Sequence, residues 1–329
     1  MYTDKVPIYT IDLSLDEHER WAHVIRREKK VARRLVDEGM ADFEGIPGFA
    51  IKTAGWIFKQ FYGIFGGRYI GEMEAWAEAL GITVGEATLM NCSYELSHIT
   101  EQLYGCTAGI HSDGQHLRHV RSMDWPLPTI GPATRIFHFV DGGREFYSVG
   151  ICGHVSVLSG MVPGAYSVTI NWAPPAGRPR FDWGPSFLLR ETLEQCDTYA
   201  AAVDVLTHTK LSTPVFFTVC GVRRGQACVI ERTHTEAAVR KTRGPVITQA
   251  NHHVAKKFVA NNGPFDAEDD SVVRAETLKI ELESLATPTL LDDVAACLDV
   301  EPVCNEQSFQ QMAFCPATGE LKAWRWIRS

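Results

Sequence analysis

The chain lacks several features that would place it in a common class of protein. It has no uninterrupted apolar stretch of about 18 residues, as a membrane-spanning helix would need, and its first residues, Met1 to Lys5, lack the apolar core of a secretory signal. Its nine cysteines are an odd number and include no close pair with the spacing of a zinc ribbon or a disulfide scaffold. We therefore expect a globular cytoplasmic protein with mostly reduced thiols.

Several catalytic and binding signatures are missing too. The sequence contains neither a Gly-x-Ser-x-Gly elbow nor a glycine-rich phosphate loop. His252 and His253 predict no metal site, because adjacent side chains on an extended chain point in opposite directions and no third ligand has suitable spacing. The net charge of -8 and the pI near 5.8 argue against a nucleic-acid binder. We expect no cofactor, no metal and no nucleic-acid partner.

What is present begins with an N-terminal part that is mainly helical. A strand is predicted at residues 6–13, followed by a long amphipathic helix with a capping box formed by Ser14 and Glu17. Two more helices are predicted at 71–80 and 83–95. The chain's 329 residues, 45% of them hydrophobic, are enough for a large buried core.

From residue 106 onward, strands and helices come in blocks. The order is strands, two helices, strands, two helices, strands, which is not the strict alternation of a parallel α/β sheet. The fold class predicted is α+β, with two antiparallel sheets stacked between helical layers. We divide the chain into a helical N-terminal segment, residues 1–105, and a catalytic body, residues 106–329, forming one compact unit.

The stretch around Gly105 and Cys106 carries the most chemical information. Asp113-Gly114 is a turn signal, so the strand after it should return beside Cys106 and bring Arg121 and Asp124 with it. A guanidinium near a sulfur favours the thiolate, and a carboxylate can orient an amino group. This spacing predicts a site built on one hairpin.

The same stretch predicts self-cleavage. Glycine allows a sharp backbone turn, which would open the Gly105–Cys106 peptide bond to the Cys106 thiol. Cleavage would leave Cys106 with a free α-amino group, whose ordinary pKa of roughly 7.7–8.0 suits a general base near neutrality. Nucleophile and base would then belong to one residue.

Two asparagines look suited to bind an oxyanion. Asn171 closes a predicted strand at 166–170, and Asn251 directly follows another at 246–250. An asparagine NH₂ together with a backbone N–H is a common oxyanion hole in acyl transfer. For either asparagine alone, a cap on a turn or a strand is the alternative.

The segment 49–65 is rich in aromatic residues and includes Trp56 and Phe61. It is too short to cross a bilayer, but it is apolar enough to lie on a membrane or micelle surface or to line the mouth of a lipid-binding channel. Simple core packing is the alternative. We assign Trp56 and Phe61 to substrate binding, together with Trp125 and Trp172, which directly follow Asp124 and Asn171.

These motifs resemble the acid ceramidase and N-acylethanolamine acid amidase branch of the choloylglycine hydrolase superfamily of N-terminal nucleophile hydrolases. The resemblance covers nearly the whole chain and implies a four-layer αββα sandwich, with Cys106, Arg121 and Asp124 catalytic. It also implies that Asn251 is the oxyanion-hole residue, that Asn171 is the second active-site asparagine, and that Arg274 is the later arginine of the family.

The sequence departs from the family at two places. Asn171 is followed by Trp172-Ala173 rather than Glu-Arg, and Asn251 by His252-His253 rather than Tyr-Asp. The resemblance implies hydrolysis of a linear amide, with an apolar or fatty acyl group as in an N-acylethanolamine or a ceramide. Alternatives are an acyltransferase of the isopenicillin N acyltransferase type, a bile-salt or penicillin V hydrolase, and a non-catalytic lipid-binding relative.

Overall fold

The computed structural model describes residues 2–3, 5–41, 68–100, 105–125, 129–242, 244–262 and 270–327, together with the single residues Phe49, Thr53, Trp56 and Leu127. Most of the aromatic segment 49–65, including Phe61, lies outside the described residues, and so does Tyr104. Within the described part, no helix is both long enough and apolar enough to cross a membrane.

The strands form two sheets. The six-stranded sheet has the order β1-β14-β13-β4-β3-β12, and the eight-stranded sheet has the order β11-β10-β9-β8-β7-β6-β5-β2. Neighbouring strands run antiparallel except β2 and β5, which are parallel. The strands are β1 Tyr2–Thr3, β2 Ile8–Asp12, β3 Gly105–Ser112, β4 Leu117–Asp124, β5 Thr134–Asp141, β6 Arg144–Ile151, β7 Ser159–Val162, β8 Tyr166–Trp172, β9 Val215–Gly221, β10 Ala227–Arg232, β11 Ala237–Lys241, β12 Val246–Gln249, β13 Ser308–Cys315 and β14 Glu320–Trp326.

Helices cover the outer faces of both sheets. The helices are α1 Ala22–Ala41, α2 Ile70–Leu80, α3 Val84–Asn91, α4 Ser93–Thr100, α5 Ile130–Ala133, α6 Pro185–Gln195, α7 Tyr199–His208, α8 Ser271–Glu283 and α9 Leu291–Ala296, with a short 3₁₀ helix at Val259–Asn261. Helices α8 and α9 pack on β3, β4, β12 and β13, while α6 and α7 pack on β7 to β11. The predicted αββα sandwich is therefore confirmed.

The two sheets face each other across a mixed core. Apolar side chains such as Ile110, Phe216 and Ile247 pack between the sheets. His119 of β4 also bridges them, with Nδ1 3.0 Å from Ser167 Oγ and Nε2 3.1 Å from Thr169 Oγ1 on β8. Burial lowers the pKa of His119 to about 3, so this bridge is made by the neutral imidazole.

The N-terminal segment is tied into the body. Strand β2 extends the eight-stranded sheet beside β5, and β1 pairs with β14 of the other sheet. Two buried ion pairs add to this, Glu28 with Arg135 at 2.5 Å and Glu72 with Arg190 at 2.6 Å. These non-covalent links join residues before Gly105 to residues after Cys106, so they do not depend on an intact Gly105–Cys106 bond.

The predicted capping box of the first helix is wrong. Helix α1 begins at Ala22, and Ser14 instead donates from Oγ to Asp12 at 2.6 Å within a turn. Glu17 accepts the backbone N–H groups of Tyr69 at 3.0 Å and Gly71 at 2.9 Å, so it caps the start of α2. The carboxylate thus binds N–H groups that have no partner within their own helix, and this helix lies about 50 residues away in sequence.

Two strand predictions also need correction. Residues 155–158, predicted as a strand, form a loop, and the strand β7 follows at Ser159–Val162. Strand β8 runs on to Trp172, so Asn171 lies inside it rather than at its end.

Candidate active site

Cys106 is the second residue of β3, and its side chain is only 3% exposed. The Asp113 carboxylate accepts the backbone N–H groups of Gln115 and His116, and Gly114 takes a φ of 91°, which closes the turn into β4. In the resulting register, Gly105 lies opposite Asp124 and Ala108 lies opposite Arg121. The predicted hairpin is present and brings the three residue types together.

Arg121 lies directly beside the sulfur. Its Nη2 donates to Cys106 Sγ at 3.2 Å, while Nη1 donates to the Leu158 carbonyl at 2.9 Å and to Ser159 Oγ at 2.5 Å. Arg121 is 1% exposed. Its Nη1 is held by Leu158, which precedes β7, and by Ser159, the first residue of β7. These three hydrogen bonds fix the guanidinium against the Cys106 sulfur.

Asp124 is held by residues that the sequence motifs did not indicate. Its Oδ1 accepts from Ser308 Oγ at 2.6 Å and its Oδ2 from Asn305 Nδ2 at 3.0 Å. Burial raises the pKa of the Asp124 carboxyl, and the charge of Arg274, whose Nη1 is 3.8 Å from Oδ2, partly opposes this. Ser308 pairs with Asp124 across β13 and β4, a partnership that depends on strand pairing far apart in sequence.

A close contact accounts for glycine at position 105, which is the first residue of strand β3. A Cβ at this position would lie 2.8 Å from Asp124 Oδ2 and 2.9 Å from Asp124 Cβ. The missing side chain is what allows the carboxylate to lie against the peptide that precedes Cys106.

Asn251 and Arg274 hold the backbone of Cys106 on both sides. The Cys106 N–H donates to Asn251 Oδ1 at 2.9 Å, and the Cys106 carbonyl accepts from Arg274 Nη1 at 2.9 Å. Arg274 Nη1 also reaches Thr107 Oγ1 at 3.0 Å, and its Nη2 reaches Asn251 Oδ1 at 3.0 Å. The peptide nitrogen that would become the free amine is thus already bound by a side-chain acceptor.

The two asparagines brace the ends of strands from different sheets. Asn171 Nδ2 donates to the carbonyls of Gln249 at 3.0 Å and Ala250 at 3.2 Å, and Asn251 Nδ2 donates to the Trp172 carbonyl at 2.8 Å. An amide NH₂ has two protons, so Asn251 retains a second N–H for another acceptor. Asn171 is fully buried, and its own carbonyl accepts from Tyr94 Oη at 3.2 Å.

The residues assigned to substrate binding differ in exposure. Trp125 is 8% exposed and packs edge-to-face on Phe309, while Trp172 is 2% exposed and donates from Nε1 to Ser97 at 3.1 Å. Trp56 is 63% exposed. Phe61 lies outside the described residues, so its assignment stays a prediction.

Helix α4 contributes two polar residues that lie behind the site. Tyr94 donates from its hydroxyl to the carbonyls of Asn171 and Pro214, both at 3.2 Å. Its neighbour Glu95 is 7% exposed, and only Oε1 has a partner, the Ser186 hydroxyl at 3.3 Å. Burial raises the pKa of Glu95 to about 7.

The fold and the geometry around Cys106 allow a comparison with known proteins. Two sheets are stacked between helices, with Cys106 at the start of an inner strand and Arg121 and Asp124 on the next strand, which is similar to the αββα sandwich of the N-terminal nucleophile hydrolases. No family model matches the chain.

Individual proteins are similar to this chain. The chain is 28% identical over 269 residues to the acid ceramidase of Rattus norvegicus and 28% identical over 268 residues to that of Homo sapiens, with 72% of this chain aligned in each case. These alignments span 66% of the length of the relatives. The Caenorhabditis elegans N-acylethanolamine-hydrolyzing acid amidase ortholog superposes with a TM-score of 0.59 at 20% identity, over 67% of this chain and 100% of that one, and shows the same fold. The resemblance predicted from the sequence, to the ceramidase and N-acylethanolamine acid amidase branch, is confirmed.

Proposed function

We propose that the chain is an amidase of the N-terminal nucleophile type that cleaves amides of fatty acids, with Cys106 as the nucleophile. The observation that carries the proposal is the contact of 3.2 Å between Arg121 Nη2 and Cys106 Sγ, made while Asn251 binds the nitrogen of the same cysteine. The acid ceramidases support the substrate class by their name.

Maturation would begin at the Gly105 carbonyl. The Cys106 sulfur attacks this carbon, the C–N bond breaks, and the nitrogen takes up a proton, which leaves a thioester between Gly105 and Cys106. Water then hydrolyses the thioester. The products are a carboxylate on Gly105 and a Cys106 with a free thiol and a free α-amino group, the latter beside the acceptor Asn251 Oδ1.

Turnover would use the same groups. The thiolate attacks the substrate amide carbonyl, and the second N–H of Asn251 Nδ2, with the backbone near Asn171, binds the oxyanion. The α-ammonium of Cys106 gives a proton to the leaving amine, and the C–N bond breaks as the tetrahedral intermediate collapses to the acyl-thioester. The free α-amine then takes a proton from water as the water oxygen attacks the thioester carbonyl. The C–S bond breaks, which releases the fatty acid and regenerates the thiolate.

Intact mass and a substrate panel test the proposal together. Wild type should separate into two fragments that meet at Gly105/Cys106, whereas Cys106→Ala should remain one inactive chain. The panel contains N-acylethanolamines, ceramides, N-acyl amino acids, penicillin V and conjugated bile salts, each with and without an added acceptor amine. We expect fatty acid release from the first three classes.

Other outcomes contradict specific parts of the proposal. Cleavage of Cys106→Ala at the same bond would mean that a protease cuts the chain. Transfer of the acyl group to the added amine would identify an acyltransferase instead of a hydrolase. A wild-type chain that stays intact and never reacts with iodoacetamide would contradict an enzyme of this type.

A further inference from the structure

The first turn of α8 makes two hydrogen bonds to Asn251. Arg274 donates to Asn251 Oδ1 at 3.0 Å, and Ser271 Oγ accepts the backbone N–H of Asn251 at 2.8 Å. Both Ser271 and Arg274 are buried. Because positions i and i+3 of a helix lie on the same face, one turn of helix fixes both the main chain and the side chain of this asparagine.

His252 completes the contact around Ser271. Its Nδ1 lies 2.8 Å from Ser271 Oγ. A serine hydroxyl has one proton and two lone pairs, so Ser271 Oγ can accept the Asn251 N–H and still bond to His252 Nδ1. Which of the two atoms donates in the second bond depends on the imidazole tautomer.

The helix starts in a way that makes Ser271 available for this contact. The preceding residue, Asp270, has a φ of 53° and a ψ of 21° in the left-handed region, and its side chain makes no capping hydrogen bond. Such a backbone is uncommon for a residue with a Cβ. The Ser271 hydroxyl, on the first residue of α8, bonds to the loop after β12.

We propose that Ser271, supported by His252, is a positioning residue for the Asn251 amide that binds the oxyanion. This inference rests on the proposed function. Ser271 acts through the main chain of Asn251. Displacing a catalytic group by about 1 Å can cost about 10²-fold in rate, and loss of a whole oxyanion donor costs about 10²- to 10³-fold.

The first test compares Ser271→Ala with Ser271→Thr, using N-palmitoylethanolamine as substrate. We expect Ser271→Ala to lower kcat about 10- to 100-fold with KM within about twofold of wild type, because the oxyanion forms only after substrate binds. Ser271→Thr keeps the hydroxyl and should recover most of kcat. Ser284→Ala, a loss of the same group at the exposed C-terminal end of α8, is the matched control and should match wild type.

A second pair of variants covers the case in which Ser271→Ala fails to fold. His252 is only partly buried, so His252→Ala should fold and lower kcat by a few-fold. His252→Asn offers a side-chain oxygen near the position of Nδ1 and should restore kcat. Equal kcat in His252→Ala and wild type would count against the support from His252.

The failures of this inference and of the proposed function look different. An active wild type with unchanged kcat in Ser271→Ala, or with a loss confined to KM, overturns the positioning role alone. A wild type that hydrolyses no amide and never splits at Gly105/Cys106 overturns the proposed function, and the positioning role falls with it.

Discussion

Gly105 and Asp124 lie so close together that a methyl group on the Gly105 Cα would be 2.8 Å from the carboxylate oxygen Oδ2. Alanine at this position must push the carboxylate away from Ser308 and Asn305, which hold it. We expect Gly105→Ala to fold but to self-cleave at least about tenfold more slowly, since a catalytic group displaced by about 1 Å can lose about 10²-fold in rate. The fraction of split chain over time, measured by intact mass, checks this.

Gly244→Ala is the control for that variant. A Cβ there would meet its nearest atom, Thr242 Oγ1, at an ordinary 3.7 Å, so the split should proceed as in wild type. If Gly105→Ala cleaved as fast as Gly244→Ala, close contact with Asp124 would not matter for maturation.

Arg121 donates to the Cys106 sulfur from Nη2 and to the Leu158 carbonyl from Nη1. Lysine carries one compact charge and cannot hold both groups in this fork geometry. We expect Arg121→Lys to lower kcat/KM about tenfold or more, because a lysine ammonium cannot bond the Cys106 sulfur and the Leu158 carbonyl at once, and a misplaced catalytic group loses rate. Initial rates of the matured protein on N-palmitoylethanolamine test this.

Arg118→Lys provides the comparison on the same strand. Arg118 pairs with Asp113 at the turn, at 2.8 Å, so Arg118→Lys should leave kcat/KM near that of wild type. Equal kcat/KM in Arg121→Lys and wild type would mean that Arg121 does not position the nucleophile.

The parts of the site that lie within one hairpin could be predicted from the sequence. The turn at Asp113-Gly114 sets the register, and the register alone places Arg121 and Asp124 beside Cys106. Ser308 and Asn305 reach Asp124 only because β13 pairs with β4, which no local pattern reveals. Glu17 is a second case in which a distant contact overrides a local pattern. The sequence predicts a local capping box, but its carboxylate binds the backbone N–H groups of Tyr69 and Gly71.

Glu95 should make stability depend on pH. Its pKa in the folded chain is about 7, against 4.5 as the ordinary value. A carboxyl whose folded pKa is raised costs no stability below pH 4.5 and an increasing amount as pH rises towards 7. The difference between the two pKa values corresponds to a loss of folding stability on the order of 3 kcal/mol above pH 7.

Urea unfolding of the uncleaved Cys106→Ala chain, with and without Glu95→Gln, measures this cost. Between pH 4 and pH 8 the stability difference should shift in favour of Glu95→Gln, because glutamine never ionises. Glu78→Gln, a change of the same kind on an exposed position, should show no such shift. A difference that stays constant with pH would mean that Glu95 titrates normally.

The last prediction concerns the apolar part of the substrate. Burial is worth about 0.8 kcal/mol per CH₂, so a ten-carbon chain offers roughly 8 kcal/mol before any losses. Trp56 exposes 63% of its surface, as a residue at a lipid-facing mouth would. We expect kcat/KM to rise steeply with acyl length and with added vesicles, and Trp56→Ser combined with Phe61→Ser to flatten that slope while self-cleavage proceeds. If the segment were core, the double variant would misfold or fail to split, and equal activity on acetyl and palmitoyl amides would contradict a fatty substrate.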